Sequence, residues 1–135
     1  MKYTRRQILE NRRKWVNQLL KTESLGYVDG LECLSGDGSR DCFGHAYHAL
    51  GFKKSIEDDI VIYDGHSDFA SKSLIEQLGL FNEHGAFDDF AESANSLMHL
   101  NDYEKLSPQQ IGRYLLENIE GGENTPFVSL NTYSE

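Results

Sequence analysis

A chain of 135 residues with 39% hydrophobic and 26% charged side chains is long enough to bury one hydrophobic core, and its composition is that of a globular rather than a disordered chain. Residues 1–21 carry a net +6 and residues 22–135 a net −15, which together make the overall −9. A body this acidic excludes wrapping of a nucleic-acid backbone, which needs clustered positive charge. The basic first segment is expected to dock onto the acidic remainder of its own domain. Nothing approaches a membrane-spanning apolar run, and Met1 to Arg6 is not followed by the apolar core of a secretory signal. Two cysteines, Cys33 and Cys42, are too few for a disulfide framework, so reduced thiols in a cytoplasm are expected.

Thr4-Arg5-Arg6-Gln7 fits a capping box and predicts a first helix from Arg5. Ile8, Leu9, Trp15, Val16, Leu19 and Leu20 fall at helical spacing, with Arg12 as the one polar break in their stripe. Trp15 reads as a core anchor. From Thr22 to Arg40 the helical period is lost; Tyr27-Val28 and Leu31 to Leu34 read as short strands, and Ser35 to Ser39 as a turn. Asp41 as N-cap and Gly51 beyond the C-terminus bracket a helix that starts at Cys42. Ile60-Val61-Ile62-Tyr63 is a β-branched strand closed by Asp64-Gly65. Ser71 or Ser73 opens a short helix that Gly79 stops. Phe87, Phe90, Ala91, Ala94, Leu97 and Met98 form a second helical stripe broken by Asn101-Asp102. Ser107-Pro108-Gln109-Gln110 caps a last helix whose Ile111, Tyr114, Leu115 and Ile119 face inward. Phe127 to Leu130 is a candidate final strand. The expected architecture is a single α+β domain over residues 1–135, predominantly helical with a minor sheet, and with the first and last helices packed together.

The densest chemistry lies between Asp41 and Gly51. A cysteine in the first turn of a helix is biased towards thiolate by the dipole, and His45 lies three residues on, on the same side. Cys42 with His45 or His66 is therefore the candidate catalytic set of a papain-like cysteine hydrolase, which also puts its cysteine at a helix N-terminus. The string Asp-Cys-x-Gly is similar to the nucleophile helix of bacterial cell-wall cysteine peptidases, but a third, orienting residue cannot be named. Zinc on Cys33, Cys42, His45 and one of His48 or His66 fits no compact finger or ribbon spacing. Calcium is disfavoured because Asp58-Asp59 and Asp64 with Asp68 lack alternating oxygen ligands. No metal and no cofactor are expected. The Leu100-Asn101-Asp102 stretch reads as a structural corner, in which the polar side chains satisfy free backbone groups.

Taken in order, Trp15 in the first helix, Cys42-Phe43-Gly44, Leu78-Gly79-Leu80, Leu100-Asn101-Asp102 and Ser107 to Ile111 resemble a family of small uncharacterised proteins of tailed phages and bacterial mobile elements. The likeness runs from residue 8 to about residue 119. Asp41 stands where that family usually has its first cysteine, and Glu104-Lys105 replaces a usual glycine, so a cysteine pair is not an essential metal clamp here. The resemblance implies origin and context, without a mechanism. The resulting expectation is a non-enzymatic accessory protein, acting in the host cytoplasm, that binds a host protein or a small anionic, nucleotide-like ligand and alters host physiology or defence. The residues expected to meet an anion are Arg5, Arg12 and Arg13 on the first helix, and Ser39, Arg40 and His45 at the mouth of the second. The cysteine hydrolase is the alternative.

Overall fold

The computed structural model describes residues 2–22, 30–32, 34, 39–87 and 96–135. Among these residues it holds five α-helices, one short 3-10 helix and a two-stranded antiparallel sheet, a small α+β arrangement dominated by helix. No helix among them is long and apolar enough to cross a membrane.

Helix α1 (Arg5–Lys21) forms the axis of the core. Its capping box is complete: Gln7 N–H donates to Thr4 Oγ1 at 3.2 Å, and Thr4 N–H donates to Gln7 Oε1 at 2.9 Å. The stripe of Ile8, Trp15, Val16 and Leu19 is fully buried. Trp15 stacks on Phe43 at 6.1 Å and meets Phe127 edge-on at 6.0 Å, while its indole N–H donates to the Cys42 carbonyl at 2.8 Å. The only tryptophan thus fills the junction of three chain segments and satisfies its polar edge there.

Helix α5 (Pro108–Glu117) packs along α1, as the two stripes require. It starts with the second capping box, Ser107 with Gln110, and with proline in the first turn. Gly112 sets the close approach, because a Cβ there would lie 3.0 Å from Leu19 Cβ and 3.1 Å from Leu20 Cδ2. Helices α2 (Cys42–Ala49) and α3 (Lys72–Leu78) flank α1 on its other sides. Ser71 caps α3, and Gly79 ends it in the left-handed conformation.

Strands β1 (Lys54–Glu57) and β2 (Ile60–Tyr63) form a hairpin. Asp58 and Asp59 both have positive φ, as a two-residue type I′ turn requires. Asp64 and Gly65 repeat the device, and Tyr63 and His66 exchange two backbone hydrogen bonds of 2.9 Å. The first strand and the Asp58-Asp59 turn are not anticipated from the sequence. Their signal was a pair of aspartates between two β-compatible runs.

Three expected elements differ. Phe87 lies outside any helix, and α4 (Leu97–Asp102) begins only after Ser96, whose hydroxyl accepts from His99 N–H. An N-cap at 96 and the Ala86–Ser96 bridge override the apolar spacing from Phe87. Phe90, Ala91 and Ala94 lie outside the described residues. Asn101 and Asp102 are the last turn of α4, not its breaker. Glu32 and Phe127 each make one isolated antiparallel bridge, to Arg40 and Leu80, in place of the two expected strands; Tyr27-Val28, Cys33 and residues 35–38 lie outside the described set.

Candidate functional site

The mouth of α2 gathers most of the chemistry expected from the sequence, and its backbone donors are already occupied. Asp41 caps the helix, accepting from Gly44 N–H at 2.7 Å. From α4, Asn101 Oδ1 accepts from Cys42 N–H at 3.2 Å, and Asn101 Nδ2 donates to Asp102. Asn101 is fully buried. It therefore has the structural role expected of it, satisfying a free backbone group, but from within the last turn of α4 and towards α2 rather than at a corner between helices. Asp41 is buried too, and desolvation holds its carboxyl well above the usual range. With a side-chain oxygen already seated on these N–H groups, the helix mouth offers an anion little.

Cys42 does not carry the features of a nucleophile. The residue is 1% exposed, and burial, reinforced by Asp41 and Asp102, pushes its thiol well above the usual value. The dipole of an eight-residue helix is outweighed by desolvation and two nearby carboxyl groups. No hydrogen bond joins Cys42 to His45 or His66 among the described residues. His45 points instead at α1, its Nδ1 lying 3.2 Å from Gln18 Nε2. A donating Gln18 amide leaves the ring proton on Nε2, which is buried and has no hydrogen-bond partner among the described residues. Burial, with Arg40 and His48 adding repulsion, lowers His45 to about 4, so the ring is neutral at pH 7. His66 sits at the second hairpin turn, bordering a groove of about 640 Å³ with Lys2, Asp64, Ser71, Lys72 and Glu76. Among the described residues, no group of three or more His, Cys, Asp and Glu side chains is placed to share a metal ion.

Arg40 has a partner that the sequence did not suggest. Its Nε donates to Glu32 Oε1 at 2.7 Å across the isolated bridge that pairs the two backbones. Tyr63 OH donates to the same oxygen at 2.7 Å, and Lys54 Nζ donates to Oε2, also at 2.7 Å. The Glu32 side chain is only 2% exposed. Desolvation raises its pKa, but the bonds from Lys54, Tyr63 and Arg40 outweigh that and leave it below the usual carboxylate value. Burial and the Glu32 charge together push Tyr63 up to about 12. Arg40 is therefore a member of an ion cluster, centred on the buried Glu32 carboxylate, that joins the loop before α2 to both strands. Ser39, its neighbour, is half-buried.

On α1 the expected anion ligands separate. Arg12 is fully buried, and its guanidinium donates to the carbonyls of Leu78 (2.8 Å), Ile119 (2.7 Å), Val128 (2.7 Å) and Gly79 (3.3 Å). Its reading as a ligand contact is corrected, since every nitrogen is committed to the fold. Arg5 reaches the C-terminal segment, donating to Leu130 and Tyr133 carbonyls and to Glu135. Arg13 alone of the three is exposed, and it shares the outer edge of α1 with Arg6, Lys14 and Lys21. The expected docking of this basic edge onto the acidic body is likewise corrected. What α1 presents to the body is its apolar stripe, and its one ion pair with a residue outside the helix, among those described, is Arg5 with Glu135. Compared with known proteins, the chain matches no family model, no curated sequence and no solved structure.

Proposed function

We propose that this chain is a non-enzymatic, phage-type accessory protein whose exposed basic edge of α1 engages an acidic surface of a host protein, with a small nucleotide-like anion as the other ligand of that chemistry. The observation that carries the reading is the exposure of Arg6, Arg13, Lys14 and Lys21 along one helix of a protein whose remaining residues carry −15. Cations left in water on an otherwise acidic protein steer acidic partners towards that one edge. The phage context rests on the ordered Trp15, Cys42-Phe43-Gly44 and Leu100-Asn101-Asp102 landmarks. In this reading Arg13, exposed on the outer edge of α1, is the proposed contact, and Arg40 and His45 support the site's structure instead.

The test purifies wild type and Arg13→Glu/Lys14→Glu side by side, gently and at low salt, from the producing cells. Native mass spectrometry should find a host protein or anion carried by the wild type and lost from the variant. Equal retention in both, or nothing bound to either, overturns the reading. The hydrolase alternative is checked separately: buried Cys42 should react with iodoacetamide at neutral pH far more slowly than a free thiol, and rapid alkylation would revive it.

A further inference from the structure

Among the described elements, β1 is the one with no buried residue. All four of its residues are exposed, and so are Lys53, Asp58 and Asp59 around it, whereas β2 buries Val61 and Tyr63. The register fixes which backbone groups of β1 are in use. Glu57 faces Ile60 across the two-residue turn, and Ser55 faces Ile62, so these pairs exchange the hairpin's hydrogen bonds. Tyr63 bonding outward to His66 agrees with this alternation. The N–H and C=O groups of Lys54 and Ile56 therefore point away from β2, and no backbone group among the described residues accepts or donates to them. Ile56 is also 56% exposed, an apolar side chain standing on an open edge.

The sequence of this edge is complementary to itself. Running antiparallel to a second copy about Ile56, Ser55 meets Glu57 and Ile56 meets Ile56, and the Asp58-Asp59 turn of each copy comes up beside Lys53 of the other, while Lys54 stays on Glu32. Both ends then bring Lys53 near a pair of turn aspartates, and the centre pairs two isoleucines on one face. We propose that β1 is a self-association edge, on which two copies of this chain pair as a two-fold dimer with a continuous four-stranded antiparallel sheet. A parallel pairing would set Lys53 and Lys54 against their own copies, and Asp58 and Asp59 likewise, so charge selects the antiparallel one. A ladder this short falls below the roughly 1,200 Å² of standard stable interfaces, so the dimer depends on concentration and weakens with salt.

Analytical ultracentrifugation of the whole protein, from micromolar to millimolar concentration at low salt, tests this. Wild type should dimerise reversibly. Ile56→Pro removes an N–H that β2 does not use, so it should keep the monomer's melting temperature near that of wild type and abolish the dimer. Lys53→Glu should weaken association by about tenfold or more, and adding Asp59→Lys should recover most of it, because the swapped charges meet again. A monomeric wild type at millimolar concentration overturns the proposal. So does a dimer that Ile56→Pro leaves intact, or a Lys53→Glu loss that the charge swap does not restore.

Discussion

Arg12 and Glu32, two of the buried ionisable side chains among the described residues, are satisfied in opposite ways. Arg12 lies in the middle of α1 with no carboxylate paired to it among the described residues; it holds four carbonyls, two from the C-terminal end of α3, one just past α5 and one from the final segment, and it covers Phe127 at 4.3 Å. Those carbonyls are the partly negative ends that helices and turns leave over, so a planar fork of donors closes several chain ends at once. Glu32 is satisfied by three side chains, from Arg40, Lys54 and Tyr63, which can move, titrate or be exchanged. Backbone acceptors cannot be mutated away, whereas side-chain donors can. The Arg12 latch is therefore the more rigid of the two devices.

The largest expected effect breaks that latch. Arg12→Ala should lower unfolding free energy by about 4 kcal/mol or more, because it strands buried carbonyls and opens a cavity. Arg12→Lys should recover little, since one ammonium cannot span the same fork. Urea unfolding of both variants measures this, and a near-neutral result for either would place Arg12 outside the stabilising core.

A smaller loss is expected on the other side of the comparison. Glu32→Gln keeps an acceptor for Arg40 and Tyr63 but removes the charge that Lys54 and Arg40 share, which should cost about 2 kcal/mol. The sharper measurement is additivity. Combined with Lys54→Met, the loss should be clearly less than the sum of the two single losses, as for partners in one network. Strict additivity would mean that Lys54 contributes nothing to the cluster.

The smallest effect is read against pH. His45 is lowered to about 4 from an ordinary 6.5, so between those values the unfolded chain binds a proton that the folded chain refuses. Stability from this group is complete above pH 6.5 and falls as pH drops towards 4. Glu32, held below its ordinary value, adds a loss as pH falls through the carboxylate range, while Asp41, held above its own, acts with the opposite sign. A direct comparison with His45→Gln isolates the histidine: wild type should lose on the order of 2 kcal/mol more than the variant between pH 7 and pH 4. Parallel pH profiles would mean that His45 is charged, or accessible, in the folded state.

Local signals of this chain are read well from its sequence. Both capping boxes, the Asp41 and Ser71 caps, the Gly79 stop, the β2 run and the pairing of the first and last helices depend on residues within a few positions of one another, or on one apolar period. Where a local cap competed with an apolar period, at Ser96, the cap prevailed, so that α4 starts at Leu97 and Phe87 lies outside it. The candidate site was far less legible. Cys42, His45 and Arg40 fall together in the sequence as a chemical motif, but burial decides what each can do, and burial is set by Asn101, Gln18 and Glu32 arriving from other elements. The same holds for Arg12, a visible break in an apolar stripe whose partners lie 66 to 116 residues away. Sequence alone determined which segments become helices and which faces are apolar, because those are short-range preferences. Tertiary structure alone decided which charges stay in water, because desolvation depends on everything that packs around a group.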